Sequence, residues 1–331
     1  MNGNFWKNKN VLITGIYGFV GSNLCKKLLK EEANVYGIYK FNSNSSLLNF
    51  ENINGFNTIQ YSDDKFNNVY NLINDKEIDV CFHLASQVEV QKAFNDPYYT
   101  FKNNLGITLD LLEAFKKSRF IKSIILTSTD KVYGDVDLDK LPYKESLIPN
   151  PKYPYEVSKY ICEIISECYF NNYNLPIIIT RTSNIFGPGQ LNFSALMPSI
   201  ILAALNKRKF LPRSNGLLKR DYFYIEDWIN SLTKLAELNY LKKNKKIIYN
   251  FGSGTPINAI QITEAIFKTL KNEKVRKSII RSFKNNKRLE NEISDQFIDS
   301  TRSKEELEIN FQTDFDYAVN KTVKWYSKYI V

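Results

Sequence analysis

The chain of 331 residues contains a single histidine, His83, and only four cysteines, Cys25, Cys81, Cys162 and Cys168. Zinc sites draw on several such ligands at short fixed spacings, so no metal site is expected. Cys81 falls in an apolar run and the other three in helical patterns, which suits reduced thiols. No apolar run reaches the ~20 residues that cross a bilayer. The opening MNGNFWKNKN lacks the apolar core of a signal peptide. The expectation is a cytoplasmic chain with no membrane partner. Basic residues outnumber acidic ones by 45 to 35, a net charge of +10. The lysines are scattered, and no basic stripe interleaved with aromatics appears, which argues against a nucleic-acid partner. One cluster, KNNKR at Lys284–Arg288, suits attraction of a phosphorylated ligand.

What the sequence does have is a hydrophobic fraction of 43%, enough for a large core in one or two domains. Apolar runs predict strands at Asn10–Thr14, Asn34–Ile38, Thr58–Tyr61, Val80–Leu84, Ser123–Thr127 and Ile177–Arg181. Amphipathic stretches such as Gly21–Lys30 and Asn104–Lys117 lie between them. Strands alternating with helices of that length imply βαβ units and a parallel sheet covered on both faces. The fold class expected is α/β, a Rossmann-type doubly wound parallel sheet with a smaller C-terminal lobe. The dinucleotide-binding part should span residues 1–182, with a return near 225–251 that includes Ile247–Phe251. The substrate lobe should take up most of 183–331, beginning at the loop Gly187-Pro188-Gly189.

The segment VLITGIYGFVGSNLCKKLL sets Gly15, Gly18 and Gly21 between the first strand and the first helix. A pyrophosphate can rest there on helix N-terminal amides, because side chains at those glycines would block the backbone's approach. The spacing is G-x-x-G-x-x-G rather than G-x-G-x-x-G, and its place at a strand–helix junction gives it weight. Gly15, Tyr17, Gly18, Phe19, Val20 and Gly21 form the expected cradle. The second strand should end in an acid if the ribose carries a free 2′-hydroxyl. Here Tyr39 and Lys40 stand instead, and Lys40 could neutralise a 2′-phosphate or point to solvent. Asp63 or Asp64 is placed to accept from the adenine amino group. Leu84, Ala85 and Ser86 end the fourth strand with little bulk against the cofactor. His83 reads as a packed, hydrogen-bonded residue.

Two further stretches carry chemistry. TSTDKVYGD puts Ser128, Thr129, Asp130 and Lys131 directly after the fifth strand, where ligands of open parallel sheets bind. YPYEVSKYICE puts Tyr155 and Lys159 four residues apart, on one helical face. The Lys159 ammonium, with a nicotinamide charge, should stabilise a tyrosinate, so that Tyr155 can take a proton from an alcohol while hydride leaves.

TGIYGFVG, HLAS, TSTDKVYG, YPYEVSK, RTSNIFGPG and RDYFYIED together resemble the extended short-chain dehydrogenase/reductase family, over nearly the whole chain. Within it the sequence is similar to nucleotide-sugar 4,6-dehydratases. An acid follows the Ser/Thr pair in STDKVYGD, and GQLNFSALMPSII and NEISDQFID resemble segments of CDP-glucose and GDP-N-acetylglucosamine 4,6-dehydratases. The resemblance implies tightly bound, internally recycled NAD(P) and a nucleotide-diphosphate sugar as substrate. By it, Thr129 grips the C4 hydroxyl, Tyr155 is its base, Lys159 holds the nicotinamide ribose and Asp130 protonates the departing C6 hydroxyl. It also implies substrate contacts from Ser128, Asn184, Asn192, Leu196, Arg213 and Arg220, with Arg220 clamping the pyrophosphate. Leu196, Met197 and Pro198 would line the base pocket.

At Lys131 many relatives carry the glutamate that removes the C5 proton. The CDP-glucose branch has lysine, which acts either as a positioner of charge or as the base, and for the latter must be neutral, a state favoured by burial and by Lys159. Family analogy further implies a homodimer through Leu109–Phe115 and Tyr155–Cys168, and a place in making deoxysugars for surface polysaccharide. The weighed alternative is a 4-epimerase, which would use Tyr155 and Lys159 but no elimination. A non-catalytic nucleotide sensor is the other, at odds with the intact tyrosine, lysine, threonine and acid.

Overall fold

The first strand, β1 (Asn10–Thr14), shows how the core is built. Successive side chains of a strand point to opposite faces. Val11 and Ile13 enter one apolar cluster and Leu12 another, all three fully buried. A strand buried on both faces is what a doubly covered parallel sheet requires. The computed structural model describes residues 4–41, 45–62, 66–205, 207–242, 247–286, 295–311 and 313–330. Asp63, Asp64, Lys287 and Arg288, together with Asn291–Ser294 of NEISDQFID, lie outside the described residues.

β1 is followed by β2 (Asn34–Tyr39), β3 (Asn57–Gln60), β4 (Val80–His83), β5 (Ser123–Thr129) and β6 (Ile177–Thr182). After β7 (Asn184–Phe186) and β8 (Lys219–Tyr224) come β9 (Ile248–Phe251) and β10 (Pro256–Asn258). Seven strands form one sheet in the order β3-β2-β1-β4-β5-β6-β9, and every neighbouring pair is parallel. The order reverses between β1 and β4, and ligands bind outside the strand ends at such a switch point. The remaining three strands make a separate small sheet, β10-β8-β7. It was not legible in the sequence, because β7 and β10 are three residues long, β7 follows β6 after one residue, and β8 and β10 run directly into helices.

Strand ends shift by one or two residues from the expected bounds, and the largest shift matters most. β5 runs on through Ser128 to Thr129, because both residues pair with β6 opposite Arg181 and Thr182. Asp130–Tyr133 then form a single 3-10 turn, with the Thr129 side chain accepting from Lys131 N. The glycine-rich segment enters its helix earlier than expected, at Phe19. The helix Pro97–Lys116 starts with Pro97 behind an Asp96 cap. The helix Pro154–Tyr173 starts with Pro154, and Glu156 Oε1 accepts from Tyr153 N at 2.8 Å. These two helices are cross-linked in the interior, where Asn104 Nδ2 donates to Ser158 Oγ at 2.9 Å.

Candidate active site

The glycine cradle is fixed by lack of space. A Cβ on Gly21 would lie 2.3 Å from the Gly15 carbonyl oxygen, and one on Gly15 3.1 Å from Ala85 Cα. Gly15 also takes φ +72, a conformation open to glycine at little cost. Gly15, Tyr17, Gly18, Lys40, Ala85 and Ser86 line a cleft of about 510 Å³ at the β1–β4 switch point. Phe19, Val20 and Gly21 form the first helical turn behind it. Leu84 contributes its amide: Leu84 N and Ala85 N donate to Thr14 Oγ1 at 3.1 and 3.0 Å.

That oxygen, already accepting twice, gives its proton to His83 Nδ1 at 2.8 Å. His83 Nε2 then donates to Thr108 Oγ1 at 2.9 Å. Burial holds the imidazole neutral, its pKa down at about 3, with Lys159 adding to the effect. His83 is thus a brace for the strand end, in agreement with its reading as a packed residue.

A second cleft, of about 470 Å³, lies beyond the ends of β5 and β6. It brings together Ser128, Thr129, Lys131, Tyr155, Asn184, Asn192, Leu196, Arg213 and Arg220. Asp130 is 1% exposed and sits directly behind it. Asp130 Oδ1 accepts from Thr129 Oγ1 at 3.1 Å and from Lys131 Nζ at 3.2 Å. Lys131 Nζ also donates to Asn184 Oδ1 at 3.1 Å, and Asn184 Nδ2 to the Asp221 carbonyl at 3.3 Å. The acid and the ammonium of the β5 turn are therefore tied to the small sheet.

Three expectations need correction. Lys131 is not buried: its side chain is 26% exposed. The protein's own groups raise the Tyr155 phenol rather than lower it, through burial and then the Asp130 charge, with the Thr129 hydrogen bond acting downward. Lys159 is 5% exposed, and burial lowers its pKa, opposed by Cys162 and Glu163. Third, Pro198 is buried inside its own helix, while Leu196 and Met197 reach the cleft.

Arg220 does not pair with the adjacent acid. The buried Asp221 carboxylate accepts from Ser253 N at 3.0 Å, Ser253 Oγ at 2.5 Å and Gly254 N at 3.2 Å. Arg220 instead lines both the catalytic cleft and an adjoining one of about 470 Å³ walled by Phe193, Phe210 and Phe283. Ser194, Leu196, Arg213 and Tyr222 are shared in the same way. Sequence reasoning missed Thr182, Ser183, Tyr222 and Gln296, all at the catalytic cleft. No motif marks them.

The clefts fit ligands with hydrogen-bonding groups. The buried hydroxyls of Ser128, Thr182 and Ser183 find no partner among the described residues, and each lines the catalytic cleft. Native proteins rarely leave such groups unpaired. The backbone cradle at Gly15 and Gly18, at a helix start, fits a pyrophosphate. The described residues hold no cluster of three or more metal-ligating side chains, and none of their helices is long and apolar enough to cross a membrane.

The model of the GDP-mannose 4,6 dehydratase family matches residues 12–322. The chain is 31% identical over 272 residues to the dTDP-D-glucose 4,6-dehydratase of Homo sapiens, covering 80% of this chain and 74% of that one. A trifunctional UDP-glucose 4,6-dehydratase/3,5-epimerase/reductase of Arabidopsis thaliana is 29% identical over 332 residues, 98% of this chain and 48% of the relative. The chain thus spans about half the length of that protein. Among solved structures, a dTDP-glucose 4,6-dehydratase of Bacillus anthracis in complex with NAD is similar at TM-score 0.82 and 23% identity, covering 97% of each chain. A UDP-glucuronic acid 4-epimerase of Bacillus cereus in complex with UDP-glucuronic acid and NAD gives 0.82 at 25% identity, covering 96% and 99%. The fold is therefore common to dehydratases and epimerases. The match across residues 12–322 and the human relative make this chain a member of the GDP-mannose 4,6 dehydratase family.

Proposed function

We propose that the chain is a nucleotide-sugar 4,6-dehydratase, a hydro-lyase that makes a 4-keto-6-deoxy sugar. The observation that supports this most is the Thr129–Asp130–Lys131 arrangement at the end of β5, an acid and an amine 3.2 Å apart beside Tyr155. A nicotinamide dinucleotide held on the Gly15–Gly18 cradle would supply the hydride chemistry, from C4 and back to C6. Thr129 Oγ1 holds the C4 hydroxyl and Tyr155 removes its proton, assisted by Lys159. The resulting ketone acidifies the C5 proton. The Lys131 ammonium gives a proton to the Asp130 carboxylate 3.2 Å away, and the neutral amine then removes the C5 proton. Asp130, now protonated, gives its proton to the C6 hydroxyl as it leaves as water, and Lys131 returns a proton to C5 once C6 is reduced. A 4-epimerase needs no such pair.

Arg213 and Arg220 suit the pyrophosphate, which carries charge at the junction of the two clefts. The hexose nucleotide is CDP-glucose or GDP-N-acetylglucosamine, on the likeness of GQLNFSALMPSII and NEISDQFID. Tyr39 and Lys40 at the end of β2 favour NADP at least as much as NAD. A second copy of the chain covers the helix faces that carry Leu109, Ile164 and Phe170, which are 39%, 49% and 38% exposed.

Incubation with CDP-glucose, GDP-N-acetylglucosamine, dTDP-glucose and UDP-glucose, followed by mass spectrometry, tests the reading. Loss of water from one of the first two is the expected result. Loss from dTDP- or UDP-glucose alone overturns the sugar assignment, and epimerised sugar without water loss overturns the dehydratase.

A further inference from the structure

Two separate elements supply the reacting groups. Tyr155 and Lys159 stand on the helix Pro154–Tyr173. Thr129 ends β5, and Asp130 and Lys131 open the 3-10 turn that follows it. Thr129 is held by the ladder itself, paired with Thr182 of β6. Asp130 and Lys131 lie beyond that last pair, so their placement depends on what fixes the far end of the turn. That end is Tyr133, which is fully buried. Its hydroxyl donates to Asn250 Oδ1 of β9 at 2.7 Å, and its ring stacks on Tyr143 at 5.0 Å. Tyr143 Oη in turn donates to the Gly134 carbonyl at 2.7 Å.

Arg181 of β6 meets the same ring, its guanidinium carbon 4.8 Å from the Tyr133 centroid. Its Nη2 and Nε also donate to Glu163 Oε2 at 2.7 and 3.1 Å. Glu163 stands on the helix of Tyr155, four residues beyond Lys159. The two side chains are 3% and 1% exposed. An ion pair so deeply buried is weak support for stability, because desolvation of both charges offsets their attraction. A planar guanidinium can, however, grip a carboxylate and lie against a ring at once, which an ammonium cannot. One side chain thus joins the helix of Tyr155 and Lys159 to the turn of Asp130 and Lys131. None of Arg181, Glu163 and Tyr133 lines the catalytic cleft.

We propose that Arg181 is a positioning residue for the elimination of water: through Glu163 and Tyr133 it sets the Asp130–Lys131 turn against the helix of Tyr155. This rests on the dehydratase reading above and assigns that reaction a residue outside the cleft. Oxidation at C4 uses Thr129, Tyr155 and Lys159, which the ladder and the helix hold without the link. Loss of the link should therefore fall on the later step, where a misplacement of about 1 Å can cost 10²-fold.

The test replaces the pair together, Arg181→Met with Glu163→Leu, so that no buried charge is left alone. The thermal unfolding midpoint and KM should stay near those of the wild type. The rate of water loss, followed by mass spectrometry on the sugar that the wild type dehydrates, should fall about ten- to a hundredfold. Reduced nicotinamide should form at the normal rate and then persist in the spectrophotometer. Arg181→Lys keeps a charge opposite Glu163 but not the planar face on Tyr133, and should show a smaller fall at the same step. It carries the test by itself if the double variant does not fold. Water loss at the wild-type rate in either folded variant overturns the proposal. So does an equal slowing of oxidation and water loss with a lowered unfolding midpoint, the mark of a purely structural role. A wild type that removes water from no nucleotide sugar overturns the dehydratase reading and this inference with it.

Discussion

At the dinucleotide end the protein offers mainly backbone: glycines with no room for a Cβ, and two amides fixed on Thr14. At the reaction end it offers side chains, Thr129, Asp130, Lys131 and Asn184, joined in one hydrogen-bonded string that crosses from the large sheet to the small one. The first construction is tolerant of side-chain chemistry and intolerant of volume. The second tolerates changes of volume poorly too, but depends above all on which atom can give or take a proton. Substitutions should therefore fail differently at the two ends.

The largest effect is expected at Tyr155. Tyr155→Phe removes the proposed proton acceptor and should lower turnover by about 10²–10⁴-fold, with the thermal unfolding midpoint unchanged. Near-normal turnover would erase the contrast between the two ends. Asp130→Asn should be nearly as costly but at a later step. Oxidation at C4 survives, so absorbance of reduced nicotinamide should rise on adding substrate and persist, while mass spectrometry finds little dehydrated sugar. Full dehydration by this variant would move the acid to another group.

Gly21→Ala tests the other end. Its Cβ would fall 2.3 Å from a carbonyl oxygen, and relieving such overlap costs about 1–3 kcal/mol. Gly106→Ala is the control, since nothing lies within 4 Å of its Cβ and alanine is favoured over glycine in a helix by about 1 kcal/mol. Unfolding curves and dinucleotide titrations should separate the pair, with loss of both properties at Gly21 and neither at Gly106.

The last effect appears only on acidification and concerns His83. Its folded pKa is about 3, whereas an unperturbed histidine titrates near 6.5. The unfolded chain takes up the proton first, so this contribution to stability is complete above about pH 6.5. It drains as pH falls toward 3, by about 1.4 kcal/mol per pH unit. His83→Asn should flatten the pH dependence of unfolding free energy across that window by one proton. An unchanged slope would show that His83 is not held neutral.

How much was visible beforehand follows the same division. Gly15, Gly18 and Gly21 were legible because local backbone geometry dictates them, and Tyr155 and Lys159 because a helix places i and i+4 on one face. The extension of β5 to Thr129 was not, because its pairing with β6 depends on a strand more than forty residues away in sequence. The burial expected for Lys131 failed for a related reason: the side chain is engaged by Asn184 of β7 at the cleft edge.

The sequence by itself determined the alternation of strands and helices, the parallel sheet, the glycine cradle and the Tyr155–Lys159 pair, all consequences of periodicity or of steric limits within a few residues. Only the tertiary structure decided which distant side chains meet. It brought Lys40 and Lys92 each to the Tyr99 ring, tied Lys131 to Asn184, and turned Asp221 toward Ser253 and away from any pairing with Arg220. Such contacts have no period. They depend on where strands from separate parts of the chain end in space, and on burial that makes each polar group seek whatever partner is within reach.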